Sequence, residues 1–222
     1  MFTARFQAWV RRAAGRAVPL LRLTHVSPNA LTVVGLLITA ASAVLIALGR
    51  LLPAGIVLLA ASAFDILDGA LARVTGRTQR YGAFLDSTSD RYAEVFTYIA
   101  LLYYFSVRQH ASLEPMLVVC ALSGSLLVSY VKARAQSLGY SGDGGLLARP
   151  ERVVITVAGL IVAPFLVWAL WALAVLTNVT AVQRVWAVWR QARRVPGVTE
   201  RSAAAEPQQP AIKPGAVAPD PR

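Results

Sequence analysis

Six apolar stretches separated by short, mostly arginine-bearing connections constrain this chain more than any other feature. They lie at roughly 29–49, 52–74, 83–107, 114–135, 151–163 and 165–188. A helix needs about 20 predominantly apolar residues to cross the hydrocarbon of a bilayer. In lipid, every backbone polar group must be satisfied internally, so such stretches become helices. The expected fold is all-α, a polytopic membrane protein with six transmembrane helices. The fifth stretch ends early, before Pro164, and a tight turn there is expected to join it to the sixth. Composition agrees: 56% of residues are hydrophobic and only 15% are charged, against about 25% charged in soluble domains.

The charges between the stretches orient them. Net charge is +11, almost all of it arginine, with Lys132 and Lys213 the only lysines. Arg5, Arg11, Arg12, Arg16 and Arg22 precede the first stretch, and Arg73, Arg77 and Arg80 lie between the second and third. Lys132, Arg134, Arg149 and Arg152 flank the fourth connection, and Arg184, Arg190, Arg193 and Arg194 follow the sixth stretch. The opposite connections hold only Arg50 and Arg108. Cytoplasmic loops carry the basic excess, so both termini are expected in the cytoplasm and the protein in the cell membrane. Basic residues placed between apolar runs favour a bilayer partner and argue against nucleic acid.

Residues 2–15 read as an amphipathic interfacial helix, with Phe2, Phe6, Trp9, Val10 and Ala13 on one face. Ser27-Pro28-Asn29 reads as a helix start, Ser27 capping and Pro28 at the first helical position. No cleavable signal peptide is expected, because the first apolar run begins only near Leu31 and is long enough to span. Beyond about Pro196 the chain is rich in Pro, Ala and Gln and reads as a disordered tail. The expected organisation is a juxtamembrane segment over 1–25, a membrane domain over 26–190 and a tail over 191–222. The single cysteine, Cys120, lies in an apolar run and is expected to be a buried structural thiol. Asn178-Val179-Thr180 falls within an apolar stretch and is discounted as a glycosylation acceptor.

Four of the eleven acidic residues fall between positions 65 and 90. Asp65 and Asp68 are three apart, and Asp86 and Asp90 four apart, spacings that put each pair on one helix face. A short connection containing Gly76 suits an antiparallel pair of helices, whose acidic faces then meet. Carboxylates at a membrane are costly and mark functional sites by default. Four together repel unless cations neutralise them. Oxygen ligands without His or Cys suit Mg²⁺ or Mn²⁺ rather than Zn²⁺, and two such ions can flank a phosphate. Gly69 and Gly82 remove side chains beside the acids, allowing backbone or substrate close.

The full pattern is Asp65-x2-Asp68-Gly69-x2-Ala72-Arg73-x8-Gly82-x3-Asp86-x3-Asp90. It resembles, at every position, the signature of the CDP-alcohol phosphatidyltransferase family, and the resemblance covers about residues 20–190. It implies transfer of a phosphatidyl group from CDP-diacylglycerol to a hydroxyl, with release of CMP and two Mg²⁺ or Mn²⁺ ions. By that resemblance Asp65 and Asp86 bridge both ions, Asp68 completes the first site and Asp90 the second. Asp90 is also the base for the attacking hydroxyl. Gly69 and Arg73 contact the CDP group, and Asn29-Ala30-Leu31-Thr32 the cytidine. Gln79 replaces a hydroxyl residue common in relatives, and Thr78 is a substitute. Relatives are often homodimers.

The second half bears on the acceptor. Ser129-Tyr130-Val131-Lys132-Ala133-Arg134-Ala135, Gly142-Asp143-Gly144-Gly145 and Arg149-Pro150-Glu151-Arg152 resemble the branch of that family that uses inositol phosphate. The resemblance implies a phosphate pocket of Ser129, Lys132, Arg152 and Arg184; an arginine fork suits two phosphate oxygens. Glycerol 3-phosphate, giving phosphatidylglycerol phosphate, is the alternative acceptor and needs a similar cationic pocket. A cation transporter would instead spread carboxylates near mid-membrane through several spans. Here they cluster beside a basic connection.

Overall fold

The computed structural model describes residues 27–75 and 80–194, with side chains described for these except 68–75 and Arg194. The interfacial helix expected over residues 2–15, the connection with Gly76 and Thr78, and the tail beyond Arg194 lie outside that set, whereas residues 191–194, expected in the tail, continue the last helix. Six α-helices fill the described residues: α1 (Pro28–Ala47), α2 (Leu51–Thr75), α3 (Arg80–Tyr103), α4 (Glu114–Ser137), α5 (Arg149–Ile161) and α6 (Leu166–Arg194). No strand occurs among the described residues.

Local sequence sets the ends. Ser27 accepts a hydrogen bond from the Ala30 amide at 3.2 Å and Pro28 opens α1, as expected. Gly49 closes α1 at φ +77°, and the Arg50 amide reaches back to the Leu45 carbonyl at 2.9 Å. Gly139 closes α4 in the same way at φ +79°, with the Tyr140 amide on the Ala135 carbonyl. Both turns need the left-handed backbone that glycine adopts without penalty. A 3₁₀ turn at Ala163–Phe165 joins α5 to α6, where Pro164 predicted a break. α3 runs into a π-helical turn, Tyr104–Arg108, whose Arg108 Nη1 donates to the Ala47 carbonyl.

α1 packs on α2 and α3, α3 on α4, α2 on α5, and α6 on α4 and α5. Ile46, Leu101, Val118, Leu160, Leu170 and Leu173 are essentially inaccessible in the core. The exterior is also apolar; Trp168 is 71% exposed and Leu37, Met116 and Val182 nearly as much. Such a surface is a liability in water and natural in lipid. Hydroxyls inside the helices turn back on their own backbone. Thr39, Ser62, Thr97, Thr156 and Thr177 each donate to the carbonyl four residues earlier. That satisfies them without a solvent partner.

Pro28–Ala47, Glu114–Ser137 and Ala163–Arg193 are long and apolar enough to cross a membrane. Leu51–Leu67 is apolar but shorter. α3 carries Asp86, Asp90, Arg91 and Glu94 in its first half. α5 has only 13 residues, about 20 Å at 1.5 Å per residue, short of a hydrocarbon core of about 30 Å. Of the six helices, three are thus long and apolar enough to cross by length and composition among the described residues, and the other three are shorter or carry charge.

Cys120 corrects an expectation: it is exposed, on the outer face of α4. Apolar surroundings in sequence do not imply burial when the outer face is itself apolar. The neighbouring carbonyl is used instead, since Asn178 Nδ2 donates to Cys120 O at 3.1 Å and to Ala174 O at 2.8 Å. Asn178 therefore ties α6 to α4.

α4 and α6 meet closely at Gly124, where an added Cβ would collide with Thr177 Oγ1 and lie 2.7 Å from Asn178 Nδ2. Gly124→Val is therefore expected to destabilise the bundle by roughly 1–3 kcal/mol, the usual range for overpacking. A thermal unfolding curve that does not move would show that the two helices can separate at no cost.

Candidate active site

The site forms where the basic ends of α2, α3 and α5 converge. Asp65 lies just past the middle of α2, and Asp86 and Asp90 lie one turn apart in the first half of α3. The fold brings one oxygen of each of the three carboxylates within 4.8 Å of the others. Three of the four expected acids thus come together. The side chains of Asp68, Gly69 and Arg73 lie outside the described residues, as does Gln79.

Close carboxylates need positive charge, and α5 supplies it from its first turn. Arg149 Nη1 is 2.6 Å from Asp65 Oδ2 and Nη2 is 2.7 Å from Asp90 Oδ1. Arg91, on α3 itself, stands further off, at 3.9 Å from Asp90 Oδ2. The oxygen-only donor set, its span, and a guanidinium already drawn into it all fit a hard divalent cation such as Mg²⁺ or Mn²⁺.

One turn further along α3, Glu94 holds a second charged pair. Its Oε1 accepts from Arg152 Nη2 at 2.6 Å, and its Oε2 accepts from Ser125 Oγ of α4 at 2.9 Å. Arg152 is only 3% exposed. The Nε groups of Arg149 and Arg152 are buried and have no hydrogen-bond partner in the protein. A cavity of about 70 Å³ adjoins both arginines, Asp65, Asp90 and Glu94, with hydroxyls such as Thr39 and Ser62 on its far wall.

The start of α1 closes another side. Asn29 is half-buried and Ala30 exposed, whereas Leu31 and Thr32 are buried among the helices. A Cβ at Gly82 would come 3.0 Å from Asn29 Oδ1. The second signature glycine thus admits the α1 terminus against α3.

The expected acceptor residues lie on α4, α5 and α6. Lys132 Nζ is 2.7 Å from Asp143 Oδ1, and that hydrogen bond holds the Asp143 carboxyl below the usual carboxylate range. Arg184 donates from Nε to the Gly144 carbonyl (2.9 Å) and from Nη1 to the Val128 carbonyl (2.8 Å). Ser129 is half-buried on α4, three residues before Lys132. The Gly142–Gly145 turn is pinned here, because a Cβ at Gly142 would strike the Lys132 backbone and Gly145 sits at φ +98° against Thr180. Gly142 is thus packed against Lys132, while Asp143, Gly144 and Gly145 remain exposed.

Sequence reasoning passed over Arg149 and Glu94 as site residues. Glu94 carried a usable signal: it is an acid in an apolar helix, four residues after Asp90 and so on the same face. Arg149 belonged to the noted Arg-Pro-Glu-Arg stretch, but only Arg152 was assigned a role.

Residues 25–189 match the family profile of CDP-alcohol phosphatidyltransferase. The phosphatidylinositol phosphate synthase of Mycobacterium marinum is 38% identical over 152 residues, covering 67% of this chain and 64% of that protein. The crystal structure of the Mycobacterium tuberculosis phosphatidylinositol phosphate synthase with CDP-DAG bound superposes with a TM-score of 0.75 at 33% identity, over 80% of this chain and 94% of that one. The same enzyme in complex with manganese and citrate gives 0.73 at 33% identity, over 79% and 88% of the two chains. The profile match, the carboxylate cluster and the shared fold lead to one conclusion: the chain belongs to the CDP-alcohol phosphatidyltransferase family.

Proposed function

We propose that this protein transfers the phosphatidyl group of CDP-diacylglycerol to a hydroxyl of inositol phosphate, giving phosphatidylinositol phosphate and CMP. The observation that carries this reading is the convergence of Asp65, Asp86 and Asp90 within 4.8 Å, one helix turn from the buried Arg152. Donor chemistry and an acceptor phosphate site then adjoin each other.

Asp65, Asp68, Asp86 and Asp90 hold two divalent ions, which when bound neutralise the carboxylates and polarise the pyrophosphate. Asp90 takes the proton of the acceptor hydroxyl. The oxygen forms a bond to the phosphorus that carries diacylglycerol, and the bond from that phosphorus to the CMP oxygen breaks with its electron pair. Gly69 and Arg73 contact the CDP group, Asn29–Thr32 the cytidine, and Gln79 or Thr78 the nucleotide's edge. Lys132, Arg152, Arg184 and Ser129 bind the acceptor phosphate. Holding it there directs the polyol hydroxyl toward the acids.

Residues 26–190 act as one membrane domain with six crossings, both termini and the site at the cytoplasmic face, in a homodimer. The alternation of basic and uncharged connections supports that orientation. A soluble phosphorylated alcohol then meets a lipid already in the leaflet.

The test offers inositol phosphate, glycerol 3-phosphate and free inositol separately to purified protein with CDP-diacylglycerol and Mg²⁺ or Mn²⁺. CMP release with inositol phosphate is expected. Release with none of the three would overturn the transfer reaction. Release with glycerol 3-phosphate alone would overturn the acceptor.

A further inference from the structure

Two arginines three residues apart on α5 are held in different ways. Arg152 pairs with Glu94, an acid outside the carboxylate triad, which is itself anchored by Ser125. Arg149 has no acid of its own. It borrows Asp65 and Asp90, two of the three carboxylates that converge as metal ligands, at 2.6 and 2.7 Å. These two acids come from different helices, so one guanidinium ties α2 to α3 where a divalent ion would otherwise do so.

Both cations cannot keep these positions. A divalent ion held by Asp65 and Asp90 would stand a few ångströms from a guanidinium hydrogen-bonded to the same groups, in a partly buried site where like charges are poorly screened. The ion carries twice the charge and binds the carboxylates directly. Arg149 therefore yields, and it has somewhere to go. Its Nε is buried without a partner, and it borders the cavity of about 70 Å³ beside the acids. An arginine freed from carboxylates at a phosphoryl-transfer site finds its best new partner in a phosphate.

We propose that Arg149 is the resident counter-cation of the metal centre, holding Asp65 and Asp90 together in the metal-free protein and being displaced by metal to face the substrate's phosphate. This rests on the metal-site part of the function proposed above. Its ion pairs are exchanged during loading, unlike those of Arg152.

The test is Mn²⁺ binding to metal-free, full-length protein without any lipid substrate, followed by the electron paramagnetic resonance signal of free Mn²⁺. Removing the competing charge should tighten binding, by roughly tenfold for Arg149→Gln if a typical charge-pair energy is relieved. Arg149→Lys, which keeps the charge, should stay close to wild type. Unchanged or weaker binding by Arg149→Gln would overturn the exchange. A second readout needs no variant: arginine-directed phenylglyoxal labelling of wild type, mapped by mass spectrometry. Mn²⁺ should speed labelling of Arg149 and leave Arg152 unchanged, whereas slowed or unaltered labelling of Arg149 would overturn the proposal. Neither readout depends on the transfer reaction, so absence of CMP release would sink that reaction alone. Wild type that binds no Mn²⁺ would sink the metal site and this exchange together.

Discussion

Asp90→Asn is expected to lower the rate of CMP release by roughly 10² to 10⁴-fold, the usual contribution of a positioned general base. The substitution changes almost no volume, so the effect would come from chemistry. Asp90 lies on the inner face of α3, with an oxygen in the cluster shared with Asp65 and Asp86 and with Oδ1 2.7 Å from Arg149 Nη2. An amide there cannot accept the acceptor's proton, and it removes one negative charge from the metal ligands. Asp65, Asp86 and the start of α1 are untouched, so nucleotide binding should survive in large part. The measurement is initial-rate CMP release at saturating CDP-diacylglycerol, paired with a direct CDP-binding titration. Near-normal turnover would remove Asp90 as the base. Loss of both turnover and CDP binding would show instead that its role is to hold the metal.

Much of this site was legible because it depends on local spacing. Residues four apart on a helix share a face, so Asp86 and Asp90 had to point together. The break at Pro164 and the cap at Ser27 were equally local, and both stand where the sequence put them. What could not be read depends on how distant helices pack. Arg149 meets Asp65 across a separation of 84 residues, and Arg152 meets Glu94 across 58. Nothing in a linear pattern says which of two arginines on adjacent turns will face which acid. Cys120 failed for a related reason. A helix that is apolar all round has no sequence signal separating its lipid face from its protein face. Span counting met the same difficulty in reverse, because the helices that build a polar site lose the uniform hydropathy by which spans are recognised.

Glu94→Gln is expected to destabilise the protein by about 3–5 kcal/mol, the cost of removing one partner from a buried ion pair. The side chains of Arg152 and Glu94 are 4% and 11% exposed, so the stranded guanidinium would have almost no water to turn to. Its Nε already lacks a partner, leaving little slack in the network. In a chain of this size the loss corresponds to a fall in melting temperature on the order of 10 °C. Replacing both partners with apolar residues, Glu94→Leu with Arg152→Met, should recover most of that fall, since a well-packed apolar pair is often as stable as the ion pair it replaces. The same double variant separates structure from chemistry. If Arg152 binds the acceptor's phosphate, stability should return while the KM for inositol phosphate stays elevated. If Arg152 only ties α5 to α3, both should return together. A Glu94→Gln protein that melts like wild type would show that Arg152 finds a second partner within the cavity, and that Glu94 is not what fixes it there.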